Sequence, residues 1–336
     1  MSIKNFWYEP FIDNGILPDF VLRAAIRHIL RARANELEGN EFTEKHTDKM
    51  RYIEKLKERP IAEEQEAANK QHYEVSTEFM KLCLGKRMKY SCSFFPTGKE
   101  TLNQAEDLML ESYCKKSQVE DGMKILDLGC GWGSLCLYIC EKYPNVKVTA
   151  LSNSNSQRKH IQSLADKQGY KNLTVITADI KNFDFGEESK FDRIISIEMF
   201  EHMKNYEHLL QKISNWLTPD GLLFLHTFAH KSQPYDFVAD DSWMTKYFFT
   251  GGTMPSSDLF LHFQNDLVLV NKWFVNGKHY SKTSEEWLKL VDKNKNDAFT
   301  HLVETYGREN ATTWFNRWRT FYIAVAEFFG MNDGNE

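Results

Sequence analysis

The spacing of apolar and polar positions changes character several times along this chain. Over residues 19–38, "DFVLRAAIRHILRARANELE", apolar side chains recur every three to four positions with Arg and Glu between them. That spacing predicts an amphipathic helix. Residues 43–70 are far more polar but still helical in pattern, and Pro60, which lacks an amide hydrogen, is expected to interrupt them. The middle of the chain behaves differently. Short apolar runs at 123–131, 146–153, 173–180, 191–198 and 221–228 alternate with helix-length segments. Nearly continuous apolar strands separated by helices predict an α/β fold with a mostly parallel sheet covered on both faces. Asp220-Gly221, just after Pro219, marks the turn into the fifth strand. Ligands of such sheets bind at the C-terminal ends of the strands.

After residue 229 the pattern breaks again. Residues 243–264 are rich in aromatic side chains and interrupted by Gly251-Gly252 and Pro255, so 230–265 reads as an insertion covering a ligand. Residues 266–283 carry enough apolar positions for a further strand. "SEEWLKLVDKN" is expected to open a helix capped by Ser284, and 309–330 another amphipathic helix. The chain thus divides into an N-terminal helical cap, 1–70, and an α/β domain, 71–336.

Composition narrows the function. A net charge of -5 without a basic stripe argues against a nucleic-acid partner. The N-terminus lacks the apolar core of a signal peptide, and no apolar run is long enough for stable membrane insertion, so a cytoplasmic protein is expected. The six cysteines have no zinc-site spacing, so no metal is expected. An aromatic content of 14% suits either an apolar pocket or thick helical packing.

The candidate chemistry collects at the strand ends. "DLGCGWG" (127–133) closes the first strand with glycines that permit a tight turn and close approach of a ligand. No Lys or Arg accompanies them, which disfavours phosphate. Ser152 and Asn153 stand where a dinucleotide site would want an acid. Asp127 is placed to face a cationic or amino ligand, and Asp179 puts a carboxylate at the third strand end. After the fourth strand, "EMFEHMKNYEH" (198–208) delivers Glu198, Glu201 and His202 on one side of a turn. They are either a solvated helix start or proton-handling groups.

This pattern resembles that of class I S-adenosylmethionine-dependent methyltransferases, which are Rossmann-like. Together with "HYEVSTEFMKLCLGKRMKYSCSFF" (72–95), "FEHMKNYEHLL" (200–210) and "LLFLHT" (222–227), it resembles the cyclopropane fatty acid synthase superfamily. Within that superfamily it is most similar to the coclaurine N-methyltransferase group. The resemblance implies S-adenosylmethionine as cofactor. Tyr90 and Ser91 would close over its methionine part, with Gly129 and Gly131 beneath. Asn153 and Gln157 would meet the ribose, Asp179 and Ile180 the adenine, and the Ile197 backbone the reacting end.

The superfamily has two branches. Cyclopropane synthases hold a bicarbonate whose ligands match Cys92, Glu201, His226 and Tyr280. The N-methyltransferases carry an additional acid where the synthases have Gly, and "IEMFEH" places Glu198 there. The expected substrate is therefore a small aromatic or cyclic amine. The alternative is an unsaturated phospholipid acyl chain with bicarbonate as base. In the amine reading Glu201 and His202 handle the proton and Glu198 anchors the substrate. Tyr73, Trp243, Phe248, Phe263, Trp318 and Phe321 are expected to line its pocket. The family also closes its sheet with a final antiparallel strand. Here "FFGMNDGNE" (328–336) supplies none, so an open slot at the sheet edge is expected. N-terminal helices of this kind can mediate a homodimer.

Overall fold

The computed structural model describes residues 6–39, 41–63, 76–186, 188–238 and 242–336. Among the described residues the cap contains three helices: α1 (Glu9–Asp13), α2 (Asp19–Glu38) and α3 (Phe42–Glu58). The third stops two residues before Pro60, as the missing donor requires. Long-range ion pairs, more than apolar burial, fasten α2. It buries only Leu22 and Ala34, while Arg23 reaches both Glu285 at 2.6 Å and Glu327 at 2.9 Å. Tyr73 and the rest of 64–75 lie outside the described residues.

Next come α4 (Thr77–Cys83) and α5 (Leu102–Lys116), the latter opened by a reciprocal capping box between Thr101 and Gln104. The alternating unit follows: β1 (Lys124–Leu128), α6 (Ser134–Lys142), β2 (Lys147–Ser152), α7 (Asn155–Gln168), β3 (Leu173–Thr177), β4 (Phe191–Ile197), α8 (Tyr206–Trp216) and β5 (Leu217–His226). The five strands are parallel in the order β3-β2-β1-β4-β5. Central β1 is sealed on both faces, with Ile125, Leu126 and Leu128 fully buried, each contributing roughly 1.5–3 kcal/mol. Strand order reverses between β1 and β4. That reversal opens a crevice at the strand ends.

Residues 230–265 form a hairpin of β6 (Tyr235–Asp236) and β7 (Thr253–Met254) with the short helix α9 (Trp243–Tyr247) between them. Then α10 (Lys278–Lys293), α11 (Lys295–Tyr306) and α12 (Arg308–Gly330) pack as a helical layer. Two sequence expectations fail here. The strand expected within 266–283 is unpaired extended chain up to Phe274, with Val268 75% and Phe274 77% exposed. Apolar alternation makes a strand only where ladder hydrogen bonds form, and among the described residues this segment pairs with no strand. Ser284 does not cap a helix either. It is buried inside α10, which begins six residues earlier at Lys278.

The expected open edge is present. Among the described residues β5 pairs only with β4, and a groove of about 1050 Å³ runs along its outer side past Leu222, Phe224, Val270 and Trp273. No helix of the described residues is long and apolar enough to cross a membrane. No cluster of His, Cys, Asp or Glu among them is placed to hold a metal ion.

Candidate functional site

A smaller cleft occupies the strand-end crevice. After β1 the chain turns through Gly129 and Gly131, both left-handed at φ +83° and +52°. A Cβ at Gly129 would come within 2.6 Å of Met199 Cγ, so only glycine fits there. A Cβ at Gly131 would meet nothing within 4 Å, because that side opens into the cleft. Ser152, Asn153 and Gln157 line it from the end of β2 and the start of α7, and Ala178 and Ile180 follow β3. The Ser154 hydroxyl caps α7 by accepting the Gln157 amide. The Gln157 side chain accepts the Ser152 hydroxyl at 2.6 Å, while its Nε2 is buried without a partner. A buried donor aimed beside an open cleft fits a ligand hydroxyl.

Five expected cofactor residues do not line this cleft. Asp127 is fully buried beneath the turn, where its carboxylate accepts the Cys136 amide at 3.1 Å. Burial pushes its pKa up to about 7, and its oxygens face α6 instead of the cleft. Asp179 turns onto its own loop, accepting the Lys181 amide at 2.8 Å. Tyr90 packs on Trp287 with ring centroids 5.5 Å apart, and the Ser91 hydroxyl accepts the buried Lys89 ammonium at 2.5 Å. Neither Tyr90 nor Ser91 lines the cleft. Ile197 ends β4 opposite His226.

The other wall of the cleft is the rim after β4. Glu198 adopts φ +49°, a costly left-handed conformation for a side chain. Its carboxylate is held from two directions. The Cys92 amide donates to Oε1 and the Tyr280 hydroxyl to Oε2, each at 2.8 Å. Its backbone amide donates to the His226 carbonyl at 2.8 Å. Burial raises the Glu198 pKa, and the nearby Lys89 charge and the two donors only partly offset this. Residues Phe200–His202 form one 3-10 turn.

That geometry separates the three groups expected on one side. A 3-10 turn has three residues per turn, not 3.6, and left-handed Glu198 lies outside it. Glu198 points at Cys92 and Tyr280. Glu201 points inward, accepting the Phe228 amide at 2.8 Å with its second oxygen buried and unpartnered. Burial, then the charge of Glu198, lifts its pKa well above the ordinary carboxylate value. His202 lines the cleft with its ring 5.1 Å from Phe249. Burial and Lys204 press its pKa down to about 4, which keeps the imidazole neutral.

Of the four positions matching bicarbonate ligands, Cys92 and Tyr280 both donate to Glu198. His226 meets its backbone and pairs its own Nδ1 with the Tyr113 hydroxyl at 2.7 Å. Glu201 is turned away toward Phe228. Trp243, Phe248, Trp318 and Phe321 close on one another, with Phe248 stacked 4.5 Å from Phe321 and 5.1 Å from Trp318. They form core more than open pocket. Phe263 packs in a separate cluster against Tyr206 at 5.5 Å. The rings nearest the rim were not singled out from the sequence: Phe249 on His202, Phe228 at 5.6 Å from Phe249, and Phe329 stacked 4.4 Å from Tyr280. A weak signal existed for Phe249, which begins the turn "FTGG" of the insertion.

The chain matches the family described as mycolic acid cyclopropane synthetase over residues 61–333. An (S)-coclaurine N-methyltransferase of Thalictrum flavum subsp. glaucum is 40% identical over 97% of this chain and 91% of that protein. A cyclopropane-fatty-acyl-phospholipid synthase of Escherichia coli (strain K12) is 30% identical over 79% of this chain and 64% of that one. A crystal structure of coclaurine N-methyltransferase bound to N-methylheliamine and SAH superposes with a TM-score of 0.94 at 39% identity. It covers 98% of this chain and 95% of that one.

Proposed function

The chain belongs to the mycolic acid cyclopropane synthetase family, and we propose that it is an S-adenosylmethionine-dependent N-methyltransferase of a small aromatic or cyclic amine. The observation that carries the amine reading is the Glu198 carboxylate. It takes up the Cys92 amide and the Tyr280 hydroxyl, two donors that a separate bicarbonate would need. The residues present therefore do not fit bicarbonate as a base, and the lipid alternative loses its proton acceptor.

The residues do fit the cofactor. Gly131 leaves open space, Asn153 and the unpartnered Gln157 amide would hold the ribose, and Ile180 would pack on the adenine. When bound, S-adenosylmethionine supplies an electrophilic methyl group on a sulfonium. An ammonium ion has no lone pair, so the amine must shed a proton before or during attack. Neutral His202 accepts that proton at the cleft wall. Glu201, whose pKa burial raises, completes the proton-handling pair behind His202. Glu198, held by the Cys92 amide and the Tyr280 hydroxyl, anchors the amine, and the faces of Phe228 and Phe249 add cation–π attraction. Tyr90, Ser91 and the Trp318–Phe321 cluster shape the surroundings in this reading. It extends to a cytoplasmic protein without a nucleic-acid partner, pairing as a homodimer through exposed Trp7, Phe11 and Phe20.

The test is methyl transfer from labelled S-adenosylmethionine. One set of assays contains tetrahydroisoquinoline amines, the other unsaturated phospholipid vesicles. Label is expected in the amine. Label in lipid and not in amine overturns the proposal.

A further inference from the structure

Behind the rim lies a buried ion cluster that the chemistry above does not use. Lys204, two residues past His202, is completely buried. Its ammonium donates to Asp236 Oδ1 at 2.7 Å, to Thr253 Oγ1 at 2.8 Å and to the Gly252 carbonyl at 3.0 Å. Asp236 is on β6 and Thr253 on β7, so one side chain from the rim grips both strands of the insertion hairpin. Asp236 also accepts Arg59 Nη1 at 2.6 Å and the Tyr52 hydroxyl at 2.8 Å, which brings in the end of the cap. The backbone repeats the connection. The Lys204 amide donates to the Ile61 carbonyl, and the Asn205 side chain to the carbonyls of Lys57 and Arg59, all at 2.8 Å. Cap, rim and insertion therefore meet at Asp236, which pairs with both Lys204 and Arg59.

The hairpin carries pieces of the site. Phe249 rests on the His202 ring, and Thr250 and Gly251 line the cleft. Burying two charges costs several kcal/mol of desolvation per ion, so a buried pair contributes little to stability compared with an apolar pair of similar volume. What the pair does supply is a fixed register between the elements it joins. The insertion also has a second tie to the cap, Lys49 to Asp258 at 2.8 Å, which touches neither His202 nor the hairpin strands.

We propose that Lys204 and Asp236 are positioning residues for methyl transfer: their ion pair docks the β6–β7 hairpin on the rim and so sets Phe249 against His202 over the amine site. This rests on the N-methyltransferase reading. A misplacement of about 1 Å costs on the order of a hundredfold in rate, so a modest slip of the hairpin is enough to be measured.

The test uses the full chain with Asp236→Asn, Lys204→Met and, as control, Asp258→Asn. Amine kcat/KM is expected to fall about a hundredfold in the first two and to change less than about twofold in the control, a surface-pair effect. The double variant Lys204→Met with Asp236→Leu removes both charges. It is expected to recover the Tm lost by the single variants but not the kcat/KM. If the loss of kcat/KM follows the loss of Tm across all variants, Asp258→Asn included, the positioning role is refuted. Amide hydrogen exchange of residues 242–254, measured without substrate, separates this from the function itself. Faster exchange in Asp236→Asn supports the clamp even if no amine is methylated. Unchanged exchange overturns the clamp even if amines are methylated.

Discussion

The two walls of the cleft are held by different physics. The wall made by β1, β2 and β3 is local. Its shape comes from left-handed glycines, a Ser154 cap and a Ser152–Gln157 hydrogen bond, each set within its own short stretch of chain. The rim wall is assembled from afar. Glu198 takes one donor from Cys92, 106 positions away, and another from Tyr280, 82 positions away in the other direction. The local wall offers backbone space and a spare donor, which suits holding a cofactor. The distant wall offers three ionisable groups in three different environments, which suits proton transfer. A local wall forms as soon as its strand and helix form. The distant one requires the whole domain, including α10, to be in place.

Binding and chemistry should therefore separate by wall. His202→Ala removes the one rim base that is neutral and faces the cleft. Turnover is expected to fall about 10²–10⁴-fold, the usual contribution of a positioned base, while calorimetric affinity for S-adenosylmethionine stays within about threefold, less than 1 kcal/mol. Gly129→Ala should do the reverse. Its Cβ would lie 2.6 Å from Met199 in a left-handed turn, so cofactor affinity is expected to drop about tenfold or more. If His202→Ala weakens cofactor binding as much as Gly129→Ala does, the division between the walls is wrong.

The same division decided what could be read from the sequence. The alternating apolar runs, the glycine turn and the Asn153–Gln157 helix start were legible because each is written in consecutive residues. The rim residues were legible by type, but not by direction: nothing local says that Glu198 is left-handed, that Glu201 turns inward under Phe228, or that Glu198 and His202 line the cleft while Glu201 does not. The aromatic residues failed for the same reason. Trp318 and Phe321 look like pocket residues in a list, yet they are closed against Phe248. Phe249, one position later, is the ring that reaches His202. Residues 266–274 have a strand's alternation, but pairing depends on a neighbour that the local pattern cannot supply.

A sharper probe of the distant wall is Glu198→Gly. At φ +49° glycine relieves the backbone strain, so the fold should tolerate the change, and the Cys92 amide and Tyr280 hydroxyl are left facing a carboxylate-sized space. Amine turnover is expected to fall. Added formate or bicarbonate should restore it about tenfold, the scale of one charge-assisted hydrogen bond. Tyr280→Phe in the same background should abolish the rescue. A variant as active as the parent without any added anion would show that the carboxylate plays no part.

The smallest expected effect is on stability against pH. The folded-state pKa of His202 is near 4, below the 6.5 of a free imidazole, because burial and Lys204 oppose its charge. The unfolded chain therefore takes up the proton first. The stabilising contribution is fully present above pH 6.5 and is lost as pH falls from 6.5 through about 4. His226, whose pKa is about 3 through burial and then Lys89 and Lys116, adds a loss with the same sign. For a fully buried ring the His202 shift would amount to roughly 3 kcal/mol. The ring keeps part of its surface open to the cleft, so about 1–2 kcal/mol is the appropriate expectation. Urea unfolding of the parent and of His202→Gln, followed from pH 7.5 to pH 4, isolates this contribution from the carboxylates common to both. The parent should lose that much more than the variant across the window. Parallel curves would mean that the surroundings do not lower the imidazole pKa.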